Sequence, residues 1–433
     1  MKNITLSTVL LMIMSINTYA ENNQTISVSD NAERIQQPVK IKTVRGILGE
    51  NLPVEHEKGQ LRAGYITFKE DGIDRNSDYA LAGHYHFDSK RWNGMEIGLS
   101  AYTVLNLGIN QNLDYLNGDF FNADGNSFIQ LTEAYLDGQW GNTEIKLGRQ
   151  ILDTPLADSD DIRMIPNYFE AYTITNTDID KLILSAGFIN RMAGWENVVD
   201  AAKFIKVWEP LGSSEEMKGI AYASAIYEGI KDLTLSLWYY NYNNVANVMY
   251  AEAGYAYAFT KERSLIFGLQ YDGSQETGAA LLGEQDAGTY GISIEFAAED
   301  IGLHILSAYN RDSGNTGATG LSLGGGPYFT SMEDQTLDAI GSAGEAWMIG
   351  AGYHFEVMGI DGLVAGIAYG HFSADDSSQY ESRETDIVID YSWNKKLSLT
   401  AAYASVSFDA GLDENNDPFN DYKQFRLVAN YSF

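Results

Sequence analysis

The chain has 433 residues, with 28 basic and 59 acidic side chains and a formal net charge of −31. Such an acidic chain lacks the basic surface that nucleic acids require, so we expect no nucleic-acid partner. It has no cysteine, which excludes disulfide frameworks, thiolate metal sites and cysteine nucleophiles. Aromatic residues are abundant, with 28 Tyr, 18 Phe and 7 Trp, whereas there are only 7 Pro.

The first twenty residues have the pattern of a secretory signal peptide. Lys2 supplies a positive charge, residues 4–16 are mostly apolar, and residues 18–20 place small side chains at a cleavage position. We expect 1–20 to be removed; the alternative is a buried first helix. Residues 21–58 are polar without a strand pattern, and we expect a periplasmic tail or a partial plug there.

Most of the remaining chain consists of short segments in which apolar side chains alternate with polar or small ones. In 231–240, for example, Leu235 and Leu237 share one face while Thr234 and Ser236 share the other. A period of two indicates β-strands with one apolar face. All seven prolines fall outside the segments, as expected because proline cannot donate to a strand ladder. The eighteen segments start near residues 60, 79, 94, 127, 143, 169, 181, 219, 232, 247, 264, 289, 301, 345, 362, 384, 397 and 422.

Short and long connections alternate between these segments, which indicates strands running up and down with the long loops at one end. A sheet of so many strands must curl or close, and an even number brings both chain ends to the same end of a barrel. We therefore predict an all-β fold, a closed antiparallel up-and-down transmembrane β-barrel of about eighteen strands over residues 59–433.

The alternation alone does not identify the face that contacts water. A soluble β-sandwich would also alternate, with its apolar face inward, and this alternative stays open. However, the polar face is rich in small and acidic residues, aromatic residues such as Tyr391 and Trp393 recur near segment ends, and the chain ends in Phe433. These features favour apolar side chains facing lipid, aromatic girdles at both interfaces and a water-filled lumen.

One stretch of the chain resembles a known family. It contains LGRQILDTPL at 147–156, SDDIRMIPN at 159–167, FEAY at 169–172 and AGFINRM at 186–192. This stretch is similar to the fifth-strand and third-loop region of the OprD-type outer-membrane porins of Gram-negative bacteria. The resemblance implies an eighteen-stranded barrel in the bacterial outer membrane. It also implies a third loop folded into the pore as a constriction, and passive uptake of small solutes.

The loop 151–168 has residues suited to a constriction. Pro155 and Pro166 restrict its backbone, and charges of both signs occur along it. Fixed charges in a narrowed pore sort solutes by size, charge and dipole. Without the resemblance, the same residues favour a solvated surface loop. The predicted constriction residues are Asp153, Asp158, Asp160, Asp161 and Arg163.

Strand parity assigns further charged residues to the pore wall. They are Arg62, Glu96, Glu144, Lys146, Glu252, Asp272, Glu295, Glu356, Asp386, Asp390 and Arg426. Eight acids thus oppose three bases, unlike family members in which a ladder of arginines guides carboxylate-bearing solutes. We predict a preference for cations. Glu133 and Arg149 fall on the wrong parity, so we expect a β-bulge or an error in our register there.

No other site is indicated. The six histidines form no metal pattern, and we predict neither a metal nor a cofactor. His84 and His86 share a strand face, which we interpret as a lumen or interface pair. We expect a non-enzymatic diffusion porin that contacts outer-membrane lipid and lipopolysaccharide, passes small polar solutes and ions, and is a monomer or a homotrimer. The alternative is an outer-membrane barrel hydrolase acting on lipid or peptide, although no convincing Ser, His and acid constellation occurs.

Overall fold

The computed structural model describes residues 54–109, 118–412 and 416–433. Its strands are β1 Val54–Glu70, β2 Asn76–Ser89, β3 Met95–Asn106, β4 Phe128–Trp140, β5 Thr143–Gln150, β6 Tyr168–Asn176, β7 Leu182–Ala193, β8 Ile205–Lys206, β9 Ile220–Ile230, β10 Leu233–Tyr242, β11 Ala246–Ala258, β12 Arg263–Glu276, β13 Asp286–Ala298, β14 Leu303–Asp312, β15 Gly344–His354, β16 Leu363–Ala374, β17 Glu381–Ser392, β18 Leu397–Ala410 and β19 Tyr422–Ser432. Short 3-10 helices occur at Gly118–Phe120, Trp195–Asn197, Glu299–Ile301, Leu337–Ile340 and Phe355–Met358. None of the described helices is long and apolar enough to cross a membrane.

Eighteen of the strands form one closed antiparallel ring, and the two-residue β8 lies beside the end of β7. Each long strand pairs with its neighbours along the chain, and β1 pairs with β19 from Gln60–Ser432 to Glu70–Tyr422. This last ladder removes both sheet edges. A lipid interior offers no partner to a free backbone N–H or C=O, so the closure is a physical requirement. The predicted closed barrel and its strand number are confirmed.

Apolar side chains point outward along the strands. Leu237, Ile292 and Ile349 are 49%, 45% and 51% exposed, whereas Ser293 and Glu295 on the opposite parity are buried inside the barrel. A soluble sandwich would have the reverse arrangement. The structure therefore has the apolar exterior that the sequence predicted and excludes the sandwich.

The barrel begins earlier in the chain than the sequence indicated. Residues 54–58, predicted as part of a tail, belong to β1, because β2 continues to Ser89 and provides a ladder partner for them. The predicted signal peptide 1–20 and residues 21–53 lie outside the described residues. The connections at the long-loop end also vary more than expected, since 71–75, 243–245 and 375–380 are short.

The irregularity predicted near Glu133 is present. The pairing of β3 with β4 shifts between Ser100 and Ala101, and the adjacent Thr132 and Glu133 are both buried. Two consecutive residues cannot face the same side of a regular strand, so β4 bulges at this point. The bulge brings the Glu133 carboxylate into the lumen, where it lies 2.8 Å from Nδ1 of His86.

Part of the lumen is apolar and packed. Trp238, Tyr240 and Tyr242 of β10 point inward and form a cluster with Leu156 and Leu321, which come from two loops of the long-loop end. The hydroxyl of Tyr242 donates to the carbonyl of Leu321 over 2.6 Å. The loops thus fold into the barrel because its wall offers them an apolar surface, which the expectation of a uniformly polar lumen missed.

Replacing Leu237, midway along β10, by lysine should destabilise the barrel by about 2–4 kcal/mol, because the charge would lie at the lipid midplane. The measurement is denaturant unfolding of the barrel in liposomes. Its neighbour Ser236 has the lumen parity, so S236K serves as the matched control and should cost much less. Equal losses for L237K and S236K would contradict the outward orientation of Leu237.

Candidate constriction site

The loop 151–167, between β5 and β6, crosses the lumen. Met164 and Ile165 are fully buried, and the sulfur of Met164 lies so close to Gly64 of β1 that a Cβ there would approach it to 2.4 Å. β1 and β5 are four strands apart in the ring. A loop that leaves β5 and packs on β1 must therefore pass through the interior, and Gly64 gives it the room to do so.

Arg62 of β1 fixes this loop to the wall. Its Nη1 and Nη2 donate to Oδ1 and Oδ2 of Asp161 over 2.6 and 2.8 Å, and Nη1 also donates to the carbonyl of Arg163 over 2.6 Å. Its Nε donates to Asn430 of β19. A bidentate guanidinium–carboxylate pair is strong and directional. Arg62 therefore holds the loop in one position across the pore.

Arg163, at the tip of the same loop, is buried and faces a second loop. Its Nε lies 3.1 Å from Oδ2 of Asp119, and its guanidinium lies 4.6 Å from the ring centre of Trp195. Phe120 and Phe121, beside Asp119, are buried against Met164 and Ile165 in one apolar cluster. The segment 118–121 thus also folds inward and supports the crossing loop.

Another loop, 313–343, reaches the part of the wall formed by β17 and β19. The carboxylate of Glu384 on β17 accepts the backbone N–H groups of Asp334 and Gln335 over 2.9 and 2.7 Å, and Asp386 accepts the N–H of Glu333 over 3.1 Å. A further set of contacts joins the loop to β19: Arg426 to Glu333, and Gln424 to Asp334. Both strands therefore hold the loop through charged side chains.

The two crossing loops also contact each other. The N–H of Leu323 donates to the carbonyl of Leu156 over 3.0 Å. Gly324 has φ +123°, and a Cβ on it would lie 2.3 Å from the carbonyl oxygen of Asp158. Glu196, from the loop 194–219, accepts the N–H of Gly325 over 3.3 Å and a side-chain N–H of Asn167 over 2.5 Å. Glycine at 324 is required for this close approach.

The carboxyl groups outnumber the guanidinium groups where the loops meet the wall. Ion pairs, hydrogen bonds and electrostatic interactions connect eight acids with three bases. The acids are Asp119, Asp160, Asp161, Glu333, Asp334, Glu384, Asp386 and Asp390, and the bases are Arg62, Arg163 and Arg426. Burial raises the pKa of Asp160 and of Asp334 to about 6, against the opposing effect of Arg163 and Arg426.

The other predicted loop acids lie beside this group. Asp158 has its Oδ1 2.8 Å from the backbone N–H of Asp160, which donates to it. Asp153 is exposed and accepts the hydroxyl of Ser159 over 2.7 Å. The remaining predicted acids, Asp160 and Asp161, belong to the charged group where the loops meet the wall.

The predicted wall residues fall into three groups. Arg62, Arg426, Asp386 and Asp390 belong to the charged group described above. Five others contact nearby side chains. Asp272 accepts a hydrogen bond from the hydroxyl of Tyr328, and Glu252 accepts one from the hydroxyl of Tyr250. Glu295 pairs with His304, Glu96 pairs with Arg91, and the ammonium of Lys146 lies 3.9 Å from the ring centre of Tyr135. Glu144 is exposed near the short-turn end of β5.

The predicted position of Glu356 is wrong. It lies beyond the end of β15, in the exposed turn Phe355–Met358, because the strand stops at His354 while the parity pattern was extended past it. Arg149 has the outward parity, donates to the carbonyl of Leu131 over 2.9 Å and lies above the ring of Phe204.

Sequence reasoning missed several residues of the site. Glu333 and Asp334 lie in a long loop without periodicity, which gives no signal of an inward fold. Glu384 has the same parity as Asp386, so parity could have placed it on the pore wall. It was missed because it lies at the start of the predicted segment. No group of three His, Cys, Asp or Glu side chains that could hold a metal ion occurs among the described residues.

Comparisons with known proteins agree with this geometry. The family described as outer membrane porin, OprD family, matches residues 127–433. The fold is similar to Pseudomonas aeruginosa OccK9 (OpdG), at 18% identity and a TM-score of 0.75 over 87% of this chain and 97% of that one. It is also similar to Acinetobacter baumannii OccAB3, at 16% identity and a TM-score of 0.74 over 87% and 98%. No curated protein matches the chain.

An eighteen-stranded barrel with an apolar exterior and loops folded into its lumen defines an outer-membrane porin. The chain belongs to the OprD family of these porins, and its location is the bacterial outer membrane.

Raising the pH should loosen the contact between the crossing loops. Burial, together with the nearby Asp153, raises the pKa of Asp158 to about 8, whereas a carboxyl in the unfolded chain titrates near 4. A raised carboxyl pKa favours the packed loop at low pH, and this contribution is lost as the pH rises from about 4 through 8. Single-channel recordings should show more loop-dependent current noise at pH 9 than at pH 6.

The variant D158N should remove most of that difference, because an amide stays neutral. D180N, which changes an exposed aspartate in the short turn 177–181, is the control and should retain the pH response of the unmodified protein. An unchanged response in D158N would show that another group controls the loops.

Proposed function

We propose that this porin is a passive diffusion channel for small hydrophilic solutes, with its constriction formed by the loops 151–167 and 313–343, and that it prefers cations. The excess of carboxyl groups supports the preference. Each of the three arginines is paired with an acid: Arg62 with Asp161, Arg163 with Asp119 and Arg426 with Glu333. Within the described part of the chain, the five other acids of the group, Asp160, Asp334, Glu384, Asp386 and Asp390, form no ion pair with an arginine.

Fixed negative charge in a confined pore raises the local cation concentration over a Debye length of about 8 Å at physiological salt. Pseudomonas aeruginosa OpdK, a similar fold at 20% identity and a TM-score of 0.69, was solved with vanillate, an anion. In this chain Arg383, the one arginine of β16 and β17, faces outward and pairs with Asp409, so these two strands bring no arginine into the lumen to favour anions.

A reversal-potential measurement in planar bilayers tests the proposal. Under a KCl gradient, we expect a sign that corresponds to K⁺ permeating faster than Cl⁻. D160N/D390N should shift the value toward that of an unselective pore, because it removes two charges of the acidic group without removing an anchor of loop 313–343.

The matched control is E381Q/D409N, which removes two acids from the outward face of the same region and should leave selectivity unchanged. A chloride-selective value for the unmodified protein would refute the preference. Liposome swelling with cationic, neutral and anionic solutes of equal size would rank the solute classes.

One contact in the structure bears on the alternative of a hydrolase activity. The Oγ of Ser100 lies 2.5 Å from Nε2 of His84, so a serine and a histidine do meet inside the barrel. However, Ser100 is 2% exposed and Thr132 also donates to its Oγ. A nucleophile enclosed in this way has no room for a substrate carbonyl. We therefore propose no catalysis, and assays of lipid and peptide turnover should give the background rate.

We also propose that the barrel contacts lipopolysaccharide in its outer leaflet and assembles as a monomer or a homotrimer. Native mass spectrometry of the detergent-solubilised protein distinguishes the two assemblies.

A further inference from the structure

Three basic side chains form a row across the barrel surface at the long-loop end. Lys69 of β1 lies opposite Lys423 of β19 in the strand register. Arg75 directly precedes β2, and the pairing of Phe68 with Asn76 places Arg75 next to Lys69 on its other side. Residues directly opposite each other on antiparallel strands share a face, with Cβ atoms about 5 Å apart. We call Arg75, Lys69 and Lys423 the basic row.

The two lysines of the basic row face outward, and Arg75 is exposed in the adjoining turn. Lys69 has the parity of Tyr65, and Lys423 has the parity of Phe425. The ring of Tyr65 lies 4.6 Å from that of Tyr79 and 6.2 Å from that of Phe425, measured between centroids. Tyr79 is 45% exposed, so this aromatic group belongs to the outer surface.

The aromatic group gives the level of the row in the membrane. Tyrosine and phenylalanine at the ends of barrel strands mark the interface between lipid tails and headgroups. Lys69 lies four residues beyond Tyr65 toward the long-loop end, which corresponds to about 10 Å along the axis of a tilted strand. The basic row is therefore at the height of the headgroups, and the hydroxyls of Thr67 and Ser77 lie between it and the aromatic rings.

The ammonium of Lys69 donates to the backbone carbonyl of Ile73, a neutral partner that leaves its charge in place. Among the described residues, none of the three members of the basic row forms an ion pair with an acid. Two arginines at the long-loop end of other strands do: Arg311 pairs with Asp375 over 2.6 Å, and Arg383 pairs with Asp409. Like charges opposite each other across a ladder are destabilising. The chain has a net charge of −31, so three adjacent basic residues without an acidic partner indicate that an external anion binds them.

We propose that the basic row binds phosphate groups of lipopolysaccharide in the outer leaflet. Phosphate is the anion found at headgroup height, and lysine and arginine are its usual ligands. Its charge removes the repulsion within the row, while the acyl chains of the same lipid pack on the aromatic rings below. The site lies on the lipid face, outside the pore. It rests on the proposed lipopolysaccharide contact and is independent of ion selectivity.

Lipid binding to the purified full-length porin tests the site. Native mass spectrometry would measure binding of bisphosphorylated lipid A, dephosphorylated lipid A and phosphatidylglycerol. We expect bisphosphorylated lipid A to bind best and K69Q/K423Q to weaken it at least about tenfold, because two of the three charges that attract its phosphates are lost. The control K395Q/K396Q removes two exposed lysines from the short-turn end and should bind lipid A like the unmodified protein.

Several outcomes would overturn the site: no binding of lipid A to the unmodified protein, equal binding of the dephosphorylated form or of phosphatidylglycerol, or the same loss in both double variants. Conductance of K69Q/K423Q in planar bilayers verifies that the barrel has folded. Its reversal potential should equal that of the unmodified protein, so failure of the lipid site and failure of the proposed ion preference give different results.

Discussion

The closed backbone ladder is the constraint on which the rest of the structure depends. In lipid a free N–H or C=O has no water to bind, so β1 must meet β19 and the ring has no edge. Closure fixes the parity of every strand, and parity decides which side chains contact lipid and which contact the lumen. The charged side chains of the barrel wall, such as Arg62 and Glu384, therefore have their direction from the ladder, before any loop packs against them.

The lumen holds its loops by two kinds of contact. On one side, Tyr240, Tyr242 and other inward aromatic residues form an apolar core with Leu156 and Leu321. On the other side, guanidinium and carboxylate groups, such as Arg62 and Glu384, bind the loops through directed hydrogen bonds. The apolar contacts supply the affinity, whereas the polar ones fix the position.

The fold could be predicted from the sequence because it repeats one simple rule. Alternation such as that of Leu235 and Leu237 recurs along the barrel strands, and the failure to alternate at Glu133 marked a bulge, whereas Arg149 proved to be an outward charged residue in a regular ladder. The site could be predicted only in part. Wall residues such as Arg62 follow from parity, but Glu333 and Asp334 belong to a loop whose path depends on distant contacts. Parity also fails where a strand stops, which is why Glu356 was misplaced.

The loop 313–343 is attached to the barrel wall and to the loop 151–167 at several places, and this limits how its length can change. Leu323 bonds to the loop 151–167, and the stretch 333–335 bonds to β17 and β19. An insertion between these attachments would pull one of them away from its partner. Ser313 and Thr316 also bond to β13, through the carbonyls of Gly288 and Asp286. Epitope tags and natural length variation should therefore be rejected between 324 and 332, where the backbone N–H groups of Phe329 and Thr330 bond to Gln270 and Asn310.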